Sequence, residues 1–228
     1  MFFRMPIRAV CFDLDGTLVD NFTAVHVSCN LVQRDMGLPL TDYAKVRSIV
    51  GGSIVLTMQR LVGPELAPKA IDLYRGYFEQ HWGDGLTAMP GAAWLLGELL
   101  RTNIRSAVLT NKNEAMSRKI LNHMGLGVMI DEVVGTLEGD AAKGIRKPNP
   151  VFTQRALDRM KSIPSETLMV GDSPFDAQTG LNMGMPTHLV ATGTHKASEL
   201  AGLKVDGIHA DLYELGRAVF GFIPPENR

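Results

Sequence analysis

The stretch Ile7-Arg-Ala-Val-Cys-Phe-Asp13-Leu-Asp15-Gly16-Thr17-Leu-Val-Asp20 decides how this chain is read. An apolar β-type run delivers two carboxylates, two residues apart, onto a glycine turn. Side chains two apart in an extended segment point the same way, so Asp13 and Asp15 are predicted to face one site. Carboxylates crowded at a strand tip repel each other unless a cation or a proton sits between them. The arrangement suits magnesium-assisted chemistry on a phosphate, with one Asp as nucleophile and the other as proton shuttle. A strand ending in an ordinary acidic turn is the plain alternative, since Asp and Gly are common turn residues. A calcium loop fits less well, because the D-x-[DN]-x-[DN]-G spacing is absent and no helix leads in.

Three further segments repeat the pattern of a short apolar run with a polar tip. Arg105-Ser-Ala-Val-Leu-Thr110-Asn111-Lys112 ends in a hydroxyl and an amide, both able to bond a phosphoryl oxygen without adding charge. In Arg146-Lys147-Pro148-Asn149-Pro150, Asn149 and Pro150 read as N-cap and first residue of a helix over 150–161, which holds Lys147 in a stiffened turn. Thr167-Leu-Met-Val170-Gly171-Asp172-Ser173-Pro174-Phe175-Asp176 brings a glycine and an acid to its tip. A helix starting near Ser173 puts Asp176 one turn beyond Asp172, within reach of the same cation. Each segment alone has a capping explanation. Together they predict one site, because open α/β sheets bind ligands at the carboxyl ends of their strands.

From Met89 onward strand and helix patterns alternate. Helices are expected near 91–102, 114–123, 150–161 and 176–183, and strands near 105–110, 129–134, 167–170 and 187–190. Such alternation argues for a parallel sheet with right-handed crossovers. Residues 21–84 carry no convincing strand. Phe22, Val25, Cys29, Val32 and Met36 fall at helical spacing before Gly37, and Leu66, Ala70, Leu73, Tyr74, Tyr77 and Phe78 form a second stripe. Gly51-Gly52-Ser53 breaks the region, with further helix to about Leu61.

DLDGTLVD (13–20), LTN (109–111), RKPNP (146–150) and GDSPFD (171–176) stand in the order of the four motifs of the haloacid dehalogenase superfamily of phosphatases, which the chain resembles. The resemblance implies an α/β fold, a Rossmann-like parallel core of residues 1–20 and 85–228, with a C1-type helical cap inserted at 21–84. It makes Asp13 the nucleophile of an aspartyl-phosphate and a ligand of Mg2+. Asp15 would protonate the leaving oxygen and later deprotonate water, its main-chain carbonyl also binding the metal. Asp172 would complete the metal site, and Asp176 would support it. Thr110 and Lys147 would hold the phosphoryl group with Asn111 beside them, and the Gly16 region would add neutral donors. Asp15 also separates phosphohydrolases from the dehalogenases, which lack this second acid.

Val50-Gly-Gly-Ser-Ile-Val-Leu-Thr-Met-Gln-Arg60 is similar to the cap segment of the bacterial phosphoglycolate phosphatase subgroup. On that likeness Gly51 and Gly52 are candidates for close approach to a ligand, and Arg60 for binding a substrate carboxylate. A helix–helix turn and a solvated helix residue are the alternatives, and Arg47 and His81 are equal candidates. Asn21 departs from the Ser or Thr of relatives, without touching a catalytic group. The implied function is Mg2+-dependent hydrolysis of a small phosphorylated metabolite, with 2-phosphoglycolate the first candidate. A mutase of the β-phosphoglucomutase type would need a cap-borne acid–base pair and a sugar loop, whose signatures are missing. A non-catalytic phospho-ligand-binding protein would need a broken motif, and all are intact.

Composition agrees with this reading. At 228 residues and 45% hydrophobic, the chain can bury a substantial core. Its 23 basic and 24 acidic residues balance to a net charge of −1, and without a long basic run no nucleic-acid or anionic-membrane partner is expected. No apolar stretch is long enough to span a membrane. Met1-Phe-Phe-Arg4 lacks a sustained hydrophobic segment, so no export signal is expected. Cys11 reads as core and Cys29 as part of a helical stripe, which favours the reducing cytoplasm.

Overall fold

A computed structural model of the chain describes residues 6–226. Met1–Arg4, on which the expectation about export rests, lies outside them. The chain divides into two compact units, one of Met1–Leu18 with Ala88–Arg228 and one of Val19–Thr87. In chain order the elements are β1 (Ala9–Phe12), β2 (Val19–Asp20), α1 (Phe22–Asp35), α2 (Tyr43–Ile49), α3 (Ile54–Val62), α4 (Ala67–His81) and β3 (Thr87–Ala88). There follow α5 (Ala92–Arg101), β4 (Arg105–Asn113), α6 (Glu114–His123), β5 (Glu132–Thr136), α7 (Pro150–Met160), β6 (Thr167–Gly171) and α8 (Pro174–Met183). The chain closes with β7 (Thr187–Val190), α9 (Ala197–Leu200), β8 (Gly207–His209) and α10 (Leu212–Phe220).

The first unit is built on a parallel sheet in the order β5-β4-β1-β6-β7-β8. Strand β1 pairs on one side with β4, Phe12 opposite Val108, and on the other with β6, Phe12 opposite Val170. That register brings Asp13, Thr110 and Asp172, one or two residues past the aligned positions, to the same edge. It is also where strand order reverses direction, the usual place for a ligand in such sheets. The central strands are buried on both faces, so they read as continuous apolar runs. Helix α7 shows why the helices pack as they do. Asn149 accepts from the Val151 N–H at 2.9 Å, Pro150 occupies the first turn, and Phe152, Ala156 and Met160 recur every four residues. This stripe packs on Ala9, Cys11, Ala107, Leu109 and Met169 of the sheet. Cys11 is fully buried there, and burial pushes its thiol up to about 12, so it serves as core and not as a nucleophile.

Several boundaries differ from expectation. Strand β4 runs on to Asn113, past the expected end at 110, and β5 begins at Glu132 because Gly127–Met129 forms a 3-10 turn. Helix α8 starts at Pro174, since the Ser173 side chain and Asp176 close a capping box ahead of it. Strand β8 and helices α9 and α10 had no clear sequence signal; the first is three residues long and the second four.

The second unit is helical. Phe22, Val25, Cys29 and Val32 form the buried face of α1, and Ala70, Tyr74 and Phe78 that of α4, with the Tyr74 and Phe78 rings stacked at 5.5 Å. Leu66 is not part of the α4 stripe: it precedes the helix and is 41% exposed. Asp42 caps α2 through the Lys45 N–H, and Ser53 caps α3 through the Leu56 N–H. Helix α2 leaves little trace in the sequence, since seven residues with Val46 and Ile49 as the buried positions carry little periodicity.

Candidate active site

The Asp13 side chain stands at the tip of β1, one residue past the strand, with its N–H bonded to the Val170 carbonyl at 2.8 Å. Gly16 then turns the chain at φ +85°, a conformation that favours glycine. A Cβ there would lie 2.8 Å from Asp172 Oδ2, so the turn packs directly against the β6 tip. The carboxylates of Asp13, Asp172 and Asp176 converge, their ligand oxygens all within 4.8 Å of one another. Lys147 reaches between them: its Nζ is 2.7 Å from Asp13 Oδ1 and 2.7 Å from Asp176 Oδ1. The lysine side chain is only 2% exposed. Asp15, two residues on, makes a separate pair with Lys112, Oδ2 to Nζ 3.1 Å.

Each polar group is held from behind. Asn111 accepts from the Lys147 N–H at 2.7 Å and donates to the Lys147 carbonyl at 3.3 Å. It therefore grips the lysine backbone and fixes where the ammonium starts from. Thr110 is buried, and its hydroxyl accepts from the Lys112 N–H at 3.2 Å. Asp176 Oδ2 accepts from both the N–H and the hydroxyl of Ser173, at 3.1 and 2.6 Å, leaving Oδ1 toward Lys147.

Sequence reasoning overlooked one segment that acts on the site. After β7 the chain runs Ala191-Thr-Gly-Thr-His195. The Thr194 N–H donates to Asp172 Oδ2 at 3.0 Å, and the Thr192 hydroxyl donates to the Gly16 carbonyl at 2.7 Å. Gly193 lies so close that a Cβ would sit 1.8 Å from Asp172 Oδ2. The chain carries a signal for it: the predicted 187–190 strand is followed by a hydroxyl–glycine–hydroxyl triplet like the polar tips of the others.

The electrostatics follow from burial. Burial pushes Asp13 up from 3.8 to about 7; the Asp176 and Asp15 charges add to the rise and Lys147 opposes it. Asp172 is raised well above its ordinary value by burial, then by Asp13 and Asp176, against the Thr194 hydrogen bond and Lys147. Burial disfavours the Lys147 charge, yet Asp13 and Asp176 outweigh it and hold the ammonium more firmly than usual. When ionised, four carboxylates face two ammonium groups, an excess of two negative charges that a divalent cation cancels. Three convergent carboxylates are an all-oxygen donor set that suits a hard divalent ion.

The residues assigned to the insertion are placed as follows. Gly51 and Gly52 lie in the bend before α3, at φ +131° and +80°. Arg60 is exposed on α3 and donates to the Ile49 carbonyl at 3.0 Å. The Arg47 guanidinium lies 4.7 Å from the Phe22 ring centroid, and His81 Nδ1 is 2.8 Å from Asp84 Oδ2.

Residues 10–190 match the haloacid dehalogenase-like hydrolase family. A phosphoglycolate phosphatase of Rhodospirillum rubrum is 34% identical over 223 residues, spanning 93% of this chain and 90% of its own. Another, of Nitrosospira multiformis, is 30% identical over 227 residues and spans 96% and 98%. A crystal structure of a predicted phosphatase from Clostridium acetobutylicum superposes with a TM-score of 0.86 at 23% identity, covering 95% of this chain and all of that one, which speaks to the fold.

Proposed function

Because the chain belongs to the haloacid dehalogenase-like hydrolases and is a phosphatase, we propose that it hydrolyses a small phosphomonoester by way of an aspartyl-phosphate on Asp13. The observation that carries this reading is the buried Lys147 ammonium between Asp13 and Asp176, beside Asp172. An Asp13 oxygen attacks phosphorus as the ester P–O bond breaks, and Asp15 gives its proton to the departing oxygen. Asp15 then takes a proton from water, which attacks the same phosphorus and frees Asp13 with inorganic phosphate. Lys147 and the Thr110 hydroxyl face the charge that spreads over the equatorial oxygens. Asp13, Asp172, Asp176 and the Asp15 carbonyl would hold Mg2+, which supplies positive charge at the phosphoryl oxygens. The helical unit is assigned the role of a substrate-selecting cap. The names of the relatives favour 2-phosphoglycolate as substrate. A cytoplasmic setting belongs to the same reading, supported by two free, buried thiols.

Phosphate release from phosphoglycolate, sugar phosphates, nucleotides and pyrophosphate, with Mg2+ and with chelator, tests this. Metal-dependent release peaking on phosphoglycolate is expected. A flat profile removes the substrate assignment, and no release from any ester removes the hydrolase.

Two measurements probe the metal site. Gly193→Ala drives a methyl group into Asp172, so half-maximal activity should need roughly 10- to 100-fold more Mg2+, as when a ligand's support is lost. An unchanged metal requirement would remove the 191–195 loop from that role. The second concerns pH. The folded state keeps a proton on Asp13 up to about 7 that the unfolded chain loses near 3.8. The stability this proton confers is full below 3.8 and lost as pH rises toward 7. Asp172 is shifted in the same direction. In chelator the melting temperature should therefore fall as pH rises through this window, and added Mg2+ should raise it most at the alkaline end, where protons no longer compete. A metal-induced shift that shrinks with rising pH would contradict the assignment.

A further inference from the structure

The site contains two ammonium groups on different acids, Lys147 on Asp13 and Asp176 and Lys112 on Asp15, and this division says where a substrate's second charge would go. Lys147 touches Asp13, the nucleophile, and is sealed from solvent, so it belongs to the transferring phosphoryl group. Lys112 touches Asp15, the acid, and its side chain is 14% exposed. We propose that Lys112 binds a carboxylate carried on the carbon next to the substrate's ester oxygen, making it a specificity residue for carboxylated phosphomonoesters. This rests on the reading of Asp15 as the group that protonates the leaving oxygen.

The geometry sets the class. An acid acting on the leaving oxygen sits one hydrogen bond from it, about 2.8 Å. Lys112 Nζ is 3.1 Å from Asp15 Oδ2. The ammonium thus stands within about 6 Å of that oxygen, a gap that a carboxylate on the adjoining carbon bridges. A second phosphate at the far end of a sugar lies several bonds further out. The strand holds the base of the side chain, through the Lys112 N–H bond to the Thr110 hydroxyl. An ammonium on a flexible stem has three donors, so it can engage a substrate carboxylate while keeping Asp15. Among the described residues the other ammonium in the cluster, Lys147, is already shared by Asp13 and Asp176.

The test compares phosphoglycolate with ethyl phosphate, which has a methyl group in place of the carboxylate, on the full-length enzyme with Mg2+. Wild type should favour phosphoglycolate in kcat/KM by about 10- to 100-fold, the scale of one charged hydrogen-bonded contact. Lys112→Met should erase the preference, mainly by raising KM for phosphoglycolate, while Lys112→Arg should keep much of it. Equal rates of wild type on both esters overturn the proposal, as does an equal loss on both esters in Lys112→Met, which would leave Lys112 serving Asp15 alone. If Lys112→Met does not fold, Lys112→Gln is read in its place: a lost preference supports the contact, and a retained preference overturns it. Absence of Mg2+-dependent release from every ester would instead sink the hydrolase reading, a result distinct from equal rates.

Discussion

Asp13→Asn is expected to abolish phosphate release, by about 10⁴-fold or more, while leaving the protein folded. The substitution keeps the shape and removes the anion. A neutral amide oxygen is a poor nucleophile, and it is also a poor ligand for a hard divalent ion, so both proposed roles would vanish together. The fold should gain, because a carboxylate that burial holds at about 7 is expensive to keep charged. Lys147 retains Asp176 as its partner at 2.7 Å. Melting in chelator should then occur at or above the wild-type temperature. Near-normal turnover by variant purified free of wild-type enzyme would rule out the aspartyl-phosphate route.

Lys147→Ala is the second large effect, and it separates catalysis from stability. The rate at saturating substrate should fall on the order of 10³-fold, since in the proposed mechanism the buried charge facing the developing phosphoryl charge would be lost. Removing the ammonium also strands Asp13 and Asp176 without their shared counter-ion. Breaking a buried pair from one side costs about 3–5 kcal/mol, so the variant should melt well below wild type in chelator. Added Mg2+ should restore part of that stability, being a cation between the same carboxylates, without restoring the rate. An unchanged rate would place Lys147 outside the site. Recovery of the rate by metal alone would make the lysine a structural counter-ion.

Much of this was legible in the chain because the signals are local. Asp13 and Asp15 follow an apolar run, Asn149-Pro150 starts a helix, and Gly171-Asp172 ends a strand; each depends on residues within a few positions. Less legible were elements whose stability comes from neighbours. Strand β8 is three residues paired with β7, and α10 buries Leu212 and Leu215 without a long stripe. The sequence shows Asn111 as an amide able to bond a phosphoryl oxygen. Its grip on the Lys147 backbone joins positions 36 residues apart, which no local pattern displays.

The order of strand tips and the inventory of four acids, a threonine and a lysine were set by the sequence alone, since two-residue alternation and glycine turns act over a few bonds. The pairing was decided by the tertiary structure. Whether Lys147 meets Asp13 or Asp15, whether Lys112 takes the other, and whether Thr194 reaches Asp172 depend on which strand tips and loops the fold sets side by side: β1 beside β4 and β6, β7 beside β6, and Asn111 holding the Lys147 turn. Charges choose partners by distance, and the fold sets those distances between residues from 22 to more than a hundred positions apart in the chain.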